Sequence, residues 1–296
     1  MNLSNIRGIY KENYTLSHLT WFKVGGKADF FFKPEDEEDL IAFLKENNGK
    51  KEINIIGAGS NLIIRDGGVE GVIIKLGKNF TAIEAQENSI LVGAGCLNFN
   101  LAKFALAHNI KNMEFLIGIP GTVGGGIAMN AGSYGFEFKD IVKAVHTVDF
   151  LGNKNIISVD DIGFSYRKNS LPKNLIFTKV ELKRETGIAR EIQEKMQSIN
   201  AQRTTAQPTT ARTGGSTFAN PPDRKAWELI DRAGLRGKTI GGASMSTLHC
   251  NFIINNGNAT AADIENLGNF VQEEVKKQTG AELRWEIIRI GRHAAI

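Results

Sequence analysis

The sequence predicts an α+β protein of two or three small domains. Its 296 residues exceed the ~150 residues of a typical domain. Short runs of β-branched residues that end in glycine turns alternate with helical periodicity from the N-terminal part onward. At residues 202–215 the composition changes to a polar segment with two arginines and no acidic residue. We therefore expect a domain boundary in this segment.

Composition and charge exclude several functional classes. The net charge is only +4 and the basic residues are interspersed, without the basic and aromatic interleaving typical of nucleic-acid binding. Cys96 and Cys250 are the only cysteines, which excludes a disulfide framework and a cysteine-rich metal site. The first residues show no basic segment followed by an apolar one, so no export signal is visible and a cytoplasmic protein is expected.

The first predicted elements form an α/β region. Residues 20–33 are expected to be extended, with a turn at Gly25-Gly26. A helix is predicted from Pro34, because the acidic residues 36–39 fall in its first turn, where the helix dipole favours anions. A strand over 51–56 follows, and it ends in a second glycine turn.

This second turn, Gly57-Ala58-Gly59-Ser60-Asn61, resembles only part of a dinucleotide-binding fingerprint. Its third glycine is missing because Leu62 stands there. The turn is followed by short β-branched runs instead of the helix that such a fingerprint requires. We therefore expect it to join two strands, with side-chain donors at Ser60 and Asn61.

The central stretch, residues 114–132, is the strongest candidate for a binding site. Five glycines lie between Gly118 and Gly126, and so many glycines carry a large entropic cost. Without Cβ atoms, successive N–H groups can converge on an anion. Thr122 and Asn130 add polar side chains. The stretch therefore predicts a cradle for the pyrophosphate and ring of a bulky cofactor.

Two other interpretations of the central stretch compete with a cradle. Residues 115–136 carry no charge, which is long enough for a membrane span of ~20 residues. Their glycines, proline and asparagine argue against a span, and we predict no membrane insertion. A glycine-rich loop that only packs closely stays open as an alternative.

The remaining elements follow from periodicity and turn residues. We predict a strand over 89–95, a helix to 108, a hairpin over 142–159, a strand over 175–183, a helix over 188–199, a helix over 223–234, a strand over 251–255 and a last strand over 283–290. Thr260 and Asp263 have the spacing of a capping box, which predicts a further helix at that point.

Three polar positions outside the glycine turns are candidates for chemistry. Arg167 lies in a turn, Ser216 follows two glycines after the basic segment, and Glu286 lies in the last strand. Each also has an ordinary explanation: an exposed arginine, a linker turn, and an edge-strand acid paired with Arg284 on the same face. We interpret His249-Cys250 as core or pocket lining.

Seven segments, in order along nearly the whole chain, together carry a family resemblance. They are GAGSN (57–61), GIPGTVGG (118–125), MNAG (129–132), SYR (165–167), GGSTFANP (214–221), HCNFIIN (249–255) and LRWEIIRIG (283–291). As a set they resemble the UDP-N-acetylenolpyruvoylglucosamine reductases, the flavoenzymes of peptidoglycan precursor synthesis. GAGSN and GIPG also occur in the wider superfamily of flavin oxidases. The spacing is similar to the shorter of the family's two forms, which lacks an inserted tyrosine-bearing loop.

The resemblance implies a cofactor and a domain plan. Residues 1–200 would bind FAD in two α/β subdomains that divide near residue 80. Residues 201–296 would form a smaller α/β substrate domain, whose last strand returns to the FAD domain. The implied FAD-binding residues are Gly57, Ala58, Gly59, Ser60, Asn61, Gly118, Ile119, Pro120, Gly121, Thr122, Gly124, Gly125, Asn130 and Gly132. FAD is expected to be held without a covalent bond, and no metal is expected.

The resemblance also implies a reaction. NADPH would reduce the flavin, which would pass a hydride to the β-carbon of an enolpyruvyl ether on a UDP-linked amino sugar. Arg167 would stabilise the enolate, Ser216 would protonate the α-carbon, and Glu286 would orient or polarise the substrate. A lysine is common in the family at Ala219 and at Leu248, and Arg284 stands where an acid is often found.

These departures leave the phosphate contacts of the substrate open. Arg203, Arg212 and Lys238 are the candidates that would supply the missing positive charge. The main alternative function is an FAD-dependent oxidase of the same superfamily that acts on an alcohol or hydroxy acid. A non-catalytic nucleotide-binding protein is the second alternative.

Overall fold

A computed structural model of the chain describes residues 5–294. Helices and strands occur in both halves, as an α+β class requires. The helices are α1 Glu37–Asn47, α2 Asn98–Ala107, α3 Val123–Ala128, α4 Phe138–Ile141, α5 Val159–Ile162, α6 Ala189–Ala206, α7 Ala226–Arg232 and α8 Ala261–Thr279. Short 3-10 helices cover Ser17–Leu19, Lys78–Phe80 and Glu114–Gly118.

The strands form two larger sheets and several small ones. Strands β1 to β9 are Ile9–Thr15, Lys27–Lys33, Ile53–Ile56, Leu62–Ile64, Val69–Lys75, Ile83–Ala85, Ser89–Gly93, Gly132–Ser133 and Phe136–Glu137. Strands β10 to β18 are Val142–Asp149, Lys154–Ser158, Leu175–Lys183, Phe218–Ala219, Thr239–Ile240, Ala243–Met245, Ile253–Asn255, Arg284–Trp285 and Ile288–Ile290. The larger sheets have the orders β1-β2-β5-β3 and β11-β10-β12-β7-β6.

The chain divides into two compact units, and neither is one continuous segment. Unit 1 contains the N-terminal residues through Glu12 together with 30–58 and 71–202. Unit 2 contains 13–29, 59–70 and the residues from Arg203 onward. The predicted division near residue 200 stays a prediction.

Unit 1 contains two hydrophobic clusters. One is formed by α1 and the strands around it, and in it the rings of Phe32 and Phe43 stack with centroids 4.3 Å apart. The other joins β7, α2, the central glycine stretch, β10, β12 and α6. Burial of the large apolar side chains in these clusters is the main stabilising contribution. The second cluster fixes the position of the glycine stretch.

Unit 2 is built around α7 and α8. Their apolar faces pack with Phe218, Ile253 and the segment that carries Ile287. The capping box predicted at the start of α8 is confirmed, because Thr260 accepts a hydrogen bond from Asp263 N while Asp263 accepts one from Thr260 N. Cys250 is fully buried in this core.

Several predicted elements differ from the structure. Residues 20–26, predicted to be extended, form a turn and an irregular segment before β2 begins at Lys27. The polar segment predicted as a boundary loop from residue 202 begins inside α6, which continues to Ala206. Part of the central stretch, predicted as loop, is the helix α3. The last strand, predicted as continuous over 283–290, breaks at Glu286 and Ile287, because β17 pairs with β13 whereas β18 turns to pair with β4 in parallel. Arg284 and Glu286 were predicted to lie on the same face of one continuous strand, and this prediction does not hold because the strand ends at Trp285.

Candidate active site

The central glycine stretch lies against the turn between β7 and α2, and both belong to unit 1. Gly124 N donates to Ala94 O at 2.8 Å, and Val123 N donates to Cys96 O at 2.8 Å. In return, Asn98 N donates to Gly121 O at 3.0 Å. These bonds give a glycine-rich backbone one defined conformation.

Thr122 connects the stretch to the glycine turn after β3. Its hydroxyl accepts a hydrogen bond from Gly125 N at 3.2 Å and so caps α3. A Cβ at Gly57 would lie 2.6 Å from Thr122 Oγ1, so glycine is required there for close packing. Lys75 Nζ donates to Gly57 O, and burial, followed by the nearby Lys33 charge, lowers the pKa of Lys75.

The glycines of the stretch have different roles. A Cβ at Gly126 would lie 2.1 Å from Phe138 Cε2, and a Cβ at Gly132 would lie 2.6 Å from Glu137 Cγ. A Cβ at Gly118 would be in tighter than usual contact with Ser133 Oγ, at 3.1 Å. The close-packing interpretation therefore accounts for Gly126 and Gly132.

Gly125 and Gly121 do not fit that explanation. Gly125 is exposed, and its Cβ would meet only Thr122 Oγ1, at 3.3 Å. Gly121 has φ +117°, which side chains rarely adopt. The N–H groups of residues 123–126 all donate inside unit 1, whereas those of Gly121 and Thr122 donate to no residue in the range 5–294.

These features fit a ligand such as FAD, which presents phosphate acceptors and a polar ring. The N–H groups at Gly121 and Thr122 are donors for an anion, and the open side of Gly125 leaves room for close approach. Ile119 and Pro120 are half-buried just before them. The buried Oδ1 of Asn98 has no hydrogen-bond partner in the described part of the chain, although its Nδ2 donates to Ile119 O at 3.3 Å. Asn98 Oδ1 is thus available beside the stretch to accept a hydrogen bond from a ligand.

Gly125 is the position at which a substitution tests this cradle. We expect Gly125→Val to fold and to bind FAD about 10- to 100-fold more weakly, because the added side chain would hold the phosphate away from the N–H groups of Gly121 and Thr122. A lost hydrogen bond to a charged group costs about 1.5–3 kcal/mol. Titration of the apoprotein with FAD, together with thermal unfolding, measures both properties.

Gly124→Val serves as the contrasting variant. A Cβ there would lie 3.0 Å from Ala94 Cβ and 3.1 Å from Ala94 O. We therefore expect it to destabilise unit 1 instead of blocking a ligand selectively. If Gly125→Val bound FAD with wild-type affinity, the cradle would be excluded and close packing alone would explain the whole glycine stretch.

Asn130 uses its side chain inside the protein. The residue is fully buried and left-handed, with φ +42°, a conformation that asparagine tolerates. Its Nδ2 donates to Glu137 Oε2 at 3.0 Å and to Ser165 O at 3.1 Å, and its Oδ1 accepts from Lys139 N at 3.0 Å. Both amide protons are therefore engaged by the protein.

Arg167 stands at the tip of a tight turn in unit 1. Ser165 N donates to Lys168 O at 2.9 Å, and Lys168 N donates to Ser165 O at 3.2 Å. The guanidinium Cζ lies 5.2 Å from the centre of the Tyr166 ring. Arg167 has φ +58°, a left-handed conformation that destabilises an ordinary residue by about 1–2 kcal/mol. Such conformations persist where neighbouring structure imposes them, often at functional sites.

Ser216 lies in unit 2 on a segment that is fixed by backbone and side-chain hydrogen bonds. It forms an isolated antiparallel bridge with Phe252. The next residue, Thr217, donates its N–H to Asn251 O at 2.7 Å. The Asn251 side chain then pairs with the backbone of Phe218, accepting from its N–H at 3.0 Å and donating to its carbonyl at 2.9 Å.

The structure brings Glu286 and Asn61 to the same segment. Glu286 N donates to Thr217 O at 2.8 Å, one residue from Ser216. Asn61 Nδ2 donates to Glu286 O at 3.3 Å, and Ile288 N donates to Asn61 O at 3.1 Å. Ser216, Glu286 and Asn61 are therefore neighbours in unit 2, as Gly57, the central stretch and the arginine turn are in unit 1.

Within the GAGSN turn, Gly59 is fixed by close backbone contacts. Gly59 has φ +67°, and a Cβ there would lie 2.1 Å from Leu19 O. Its carbonyl accepts from Trp21 N at 3.0 Å. Ala58 and Ser60 are half-buried beside it. Glycine at 59 is therefore required by the backbone itself.

The sequence-based reasoning missed Thr217 and Asn251. Both are buried and polar, and they fix the segment of Ser216. An asparagine directly before the apolar run at residues 252–254 is the signal that points to a required side-chain hydrogen bond.

The two positions without the expected lysine differ in exposure. Ala219 is 4% exposed within β13, whereas Leu248 is 51% exposed. Arg236 holds the turn that contains Leu248, donating to Thr247 O at 2.6 Å and to Leu248 O at 3.3 Å. Burial, followed by the Arg236 charge, lowers the pKa of His249.

The three candidate cations for phosphate binding have different surroundings. Lys238 Nζ lies 4.8 Å from the centre of the Phe270 ring. Arg212 is exposed, and its carbonyl accepts from Asn255 N at 2.9 Å. Arg203 Nε donates to Gln207 Oε1 at 3.4 Å.

Both cysteines are buried. Burial raises the pKa of Cys96 to about 11, and burial also raises the pKa of Cys250, whose Sγ donates to Trp227 O at 3.0 Å. A buried thiol with a raised pKa is a poor nucleophile. Residues 5–294 contain no group of three or more His, Cys, Asp or Glu side chains placed to hold a metal ion. Among the helices described, none combines the length and apolarity needed to span a membrane.

Comparison with protein families finds two matches along the chain. An FAD binding domain matches residues 28–154. The C-terminal domain of UDP-N-acetylenolpyruvoylglucosamine reductase matches residues 207–290. The first match includes Gly57 and the central glycine stretch, and the second includes Ser216 and Glu286.

Individual relatives match over almost the whole length. The chain is 60% identical over 288 residues to the UDP-N-acetylenolpyruvoylglucosamine reductase of Rickettsia rickettsii (strain Sheila Smith), covering 97% of this chain and 98% of that protein. It is 56% identical over 291 residues to the enzyme of Rickettsia akari (strain Hartford), covering 98% and 99%. The crystal structure of the Thermus caldophilus enzyme superposes with a TM-score of 0.84 at 32% identity, covering 96% of this chain and 99% of that one.

These matches confirm the resemblance read from the seven segments, and they include both units. They also agree with a glycine stretch that fits FAD. The chain therefore belongs to the UDP-N-acetylenolpyruvoylglucosamine reductase family of FAD-containing oxidoreductases.

Proposed function

We propose that the protein reduces UDP-N-acetylglucosamine enolpyruvate to UDP-N-acetylmuramate, with NADPH as reductant and FAD as cofactor. The observation that carries this proposal is the 60% identity to a named reductase over nearly the full length of both chains. The reaction is a step of peptidoglycan precursor synthesis, and thereby serves cell-wall biogenesis, cell shape and division. A cytoplasmic location remains a prediction.

FAD binding is assigned to the glycine turns. The donors at Gly121 and Thr122, the open side of Gly125 and the spare acceptor of Asn98 support contacts in the central stretch. The other predicted residues, from Gly57 to Asn61 and from Gly118 to Pro120, keep their assignment as a proposal. We assign an indirect role in FAD binding to Gly124, Asn130 and Gly132. Protein atoms surround these residues, so they shape the glycine stretch through backbone bonds or packing.

Bound FAD supplies hydride transfer from NADPH to the carbon–carbon double bond. Arg167 stabilises the negative charge that develops on the substrate carboxylate, because a fixed guanidinium offers planar, charged donors. Ser216 gives its hydroxyl proton to the α-carbon, whose enolate is basic enough to accept it. Glu286, whose backbone is bonded to the segment of Ser216, orients or polarises that end of the substrate.

The UDP phosphates require positive charge. We assign this to Lys238 or to Arg203 and Arg212, because lysines common in the family are absent at Ala219 and Leu248. Phosphate oxygens pair well with such cations.

The attachment of FAD gives a direct prediction. We expect FAD to be held without a covalent bond, because none of the glycine turns contains a histidine and both thiols are buried. Acid precipitation should leave the yellow colour in the supernatant. Colour that pellets with the protein would contradict this prediction.

The overall function is tested by product analysis. NADPH oxidation should depend on added UDP-N-acetylglucosamine enolpyruvate, and the product should be heavier by two hydrogens. NADPH oxidation that does not require this substrate, with oxygen consumed instead, would contradict the proposed reaction.

A further inference from the structure

The turn that carries Arg167 is attached to the glycine stretch by two asparagines of unit 1. Asn130 Nδ2 donates to Ser165 O at 3.1 Å, at the first residue of the turn. Asn169, which follows the turn, donates through Nδ2 to Ile127 O at 3.1 Å and Ala128 O at 3.0 Å. We call Asn130 and Asn169 the asparagine clamp.

The two asparagines donate their hydrogen bonds in opposite directions. Asn130 reaches from the end of the glycine stretch to the turn, whereas Asn169 reaches from the turn to the carbonyls of Ile127 and Ala128 at the end of α3. The Oδ1 of Asn169 also accepts from Leu171 N at 3.0 Å. The turn is therefore bonded on one side to Asn130, which follows α3, and on the other side to the end of α3 itself.

The clamp explains how Arg167 keeps a left-handed conformation. The two backbone bonds between Ser165 and Lys168 close the turn, and the clamp fixes it in space. The helix α3 is itself bonded to the turn before α2 through Gly124 N and Ala94 O. Arg167 is therefore held in a fixed position relative to the glycine stretch.

We propose that Asn130 and Asn169 are positioning residues for Arg167. They hold its guanidinium at a fixed place relative to the glycine stretch, where FAD binding is assigned. This inference rests on the proposed role of Arg167. It gives Asn130 a function that does not require its side chain to touch the cofactor.

The experiment uses stopped-flow absorbance of the FAD-loaded protein. We expect Asn169→Ala to be reduced by NADPH at the normal rate. Its reoxidation by UDP-N-acetylglucosamine enolpyruvate should slow by about 10- to 100-fold, because a displacement near 1 Å of a catalytic group has effects of that size. Asn169→Asp is the second variant, since it keeps an acceptor for Leu171 N but cannot donate to α3.

Asn79→Ala is the matched control. Asn79 also lies in unit 1, and its Nδ2 donates to Glu35 O at 2.9 Å and Glu35 Oε1 at 3.0 Å. The control loses as many donated hydrogen bonds as Asn169→Ala without touching the turn. We expect wild-type rates in both halves of the reaction.

A double-mutant cycle tests whether Asn169 acts through Arg167. In an Arg167→Gln background, Asn169→Ala should slow reoxidation by less than about twofold, because residues that act through one another are not additive. Fully additive slowing would overturn the clamp, as would wild-type reoxidation in both Asn169 variants.

Hydrogen exchange of the apoprotein gives a measurement that needs no activity. The amides of Ser165 and Lys168 should exchange at least about tenfold faster in Asn169→Ala, and at the wild-type rate in Asn79→Ala. If Arg167→Gln reoxidises normally, the proposed role of Arg167 fails and the inference fails with it. If Arg167→Gln is slow while the turn keeps its protection in both Asn169 variants, only the clamp fails.

Discussion

Ser216→Ala should accept electrons from NADPH at close to the normal rate but transfer them to the enolpyruvyl substrate slowly. The expected slowing is about 10²–10⁴, the usual effect of a positioned general acid. Proton donation to the α-carbon takes place only in the second half of the reaction. Stopped-flow absorbance at the flavin band under anaerobic conditions separates the two halves.

The structure explains why Ser216→Ala should affect only the second half of the reaction. The segment of Ser216 is fixed by backbone bonds through Thr217 and by the side chain of Asn251. Removing the hydroxyl should therefore leave the backbone in place. Ser216→Cys should retain more activity than the alanine variant, because a thiol still donates a proton.

Ser244→Ala is a suitable control. Ser244 is a half-buried serine of unit 2 whose hydroxyl donates to Asn256 Oδ1 at 3.0 Å. We expect this variant to match the wild type in both halves. Equal slowing of both halves in Ser216→Ala would indicate lost flavin geometry, and an unaffected second half would remove Ser216 from the mechanism.

Arg167→Gln should slow the same half-reaction by about 10²–10³, the usual effect of removing one charge-stabilising donor group. Glutamine keeps hydrogen-bonding capacity but lacks the charge that stabilises a carboxylate-centred enolate. Arg167→Lys should recover only part of the loss, because a lysine cannot form the planar, two-point contact of a guanidinium.

Arg167→Gly separates catalysis from backbone strain. Glycine adopts the φ of +58° found at this position without a steric penalty. The glycine variant should therefore unfold at a temperature close to that of the wild type and be as slow in reoxidation as Arg167→Gln. Normal reoxidation in either variant would exclude Arg167 from the reaction.

Signals that depend on neighbouring residues along the chain predicted structure well. The capping box of α8 needs only Thr260 and Asp263, and it is present. The hairpin predicted over 142–159 corresponds to β10 and β11, which pair in antiparallel register. Both cases are local, because the partners are close in sequence.

Features that depend on distant partners were not predictable in this way. Glycine-rich residues 123–126 form a helix whose first N–H groups donate to Cys96 O and Ala94 O, and Phe138 fills the space beside Gly126. The last strand breaks because its two halves pair with β13 and β4, which are distant in sequence. Periodicity within one segment carries no information on either partner.

The site shows the same distinction. Arg167, Ser216 and Glu286 were candidates among the polar positions of the sequence, whereas their roles came from the family resemblance and stay predictions. The structure adds what no motif contained: the Asn251 pairing that fixes the Ser216 segment and the attachment of the arginine turn both to Asn130 and to the end of α3. These hydrogen bonds join residues more than 30 positions apart in the sequence.

The proposed reaction carries electrons from NADPH to an enolpyruvyl ether through bound FAD. The most direct test is the visible spectrum of the purified protein under anaerobic conditions. We predict a flavin spectrum that NADPH bleaches and that UDP-N-acetylglucosamine enolpyruvate restores without oxygen. A colourless protein that does not take up FAD, or a bleached spectrum that only oxygen restores, would contradict the proposed reaction.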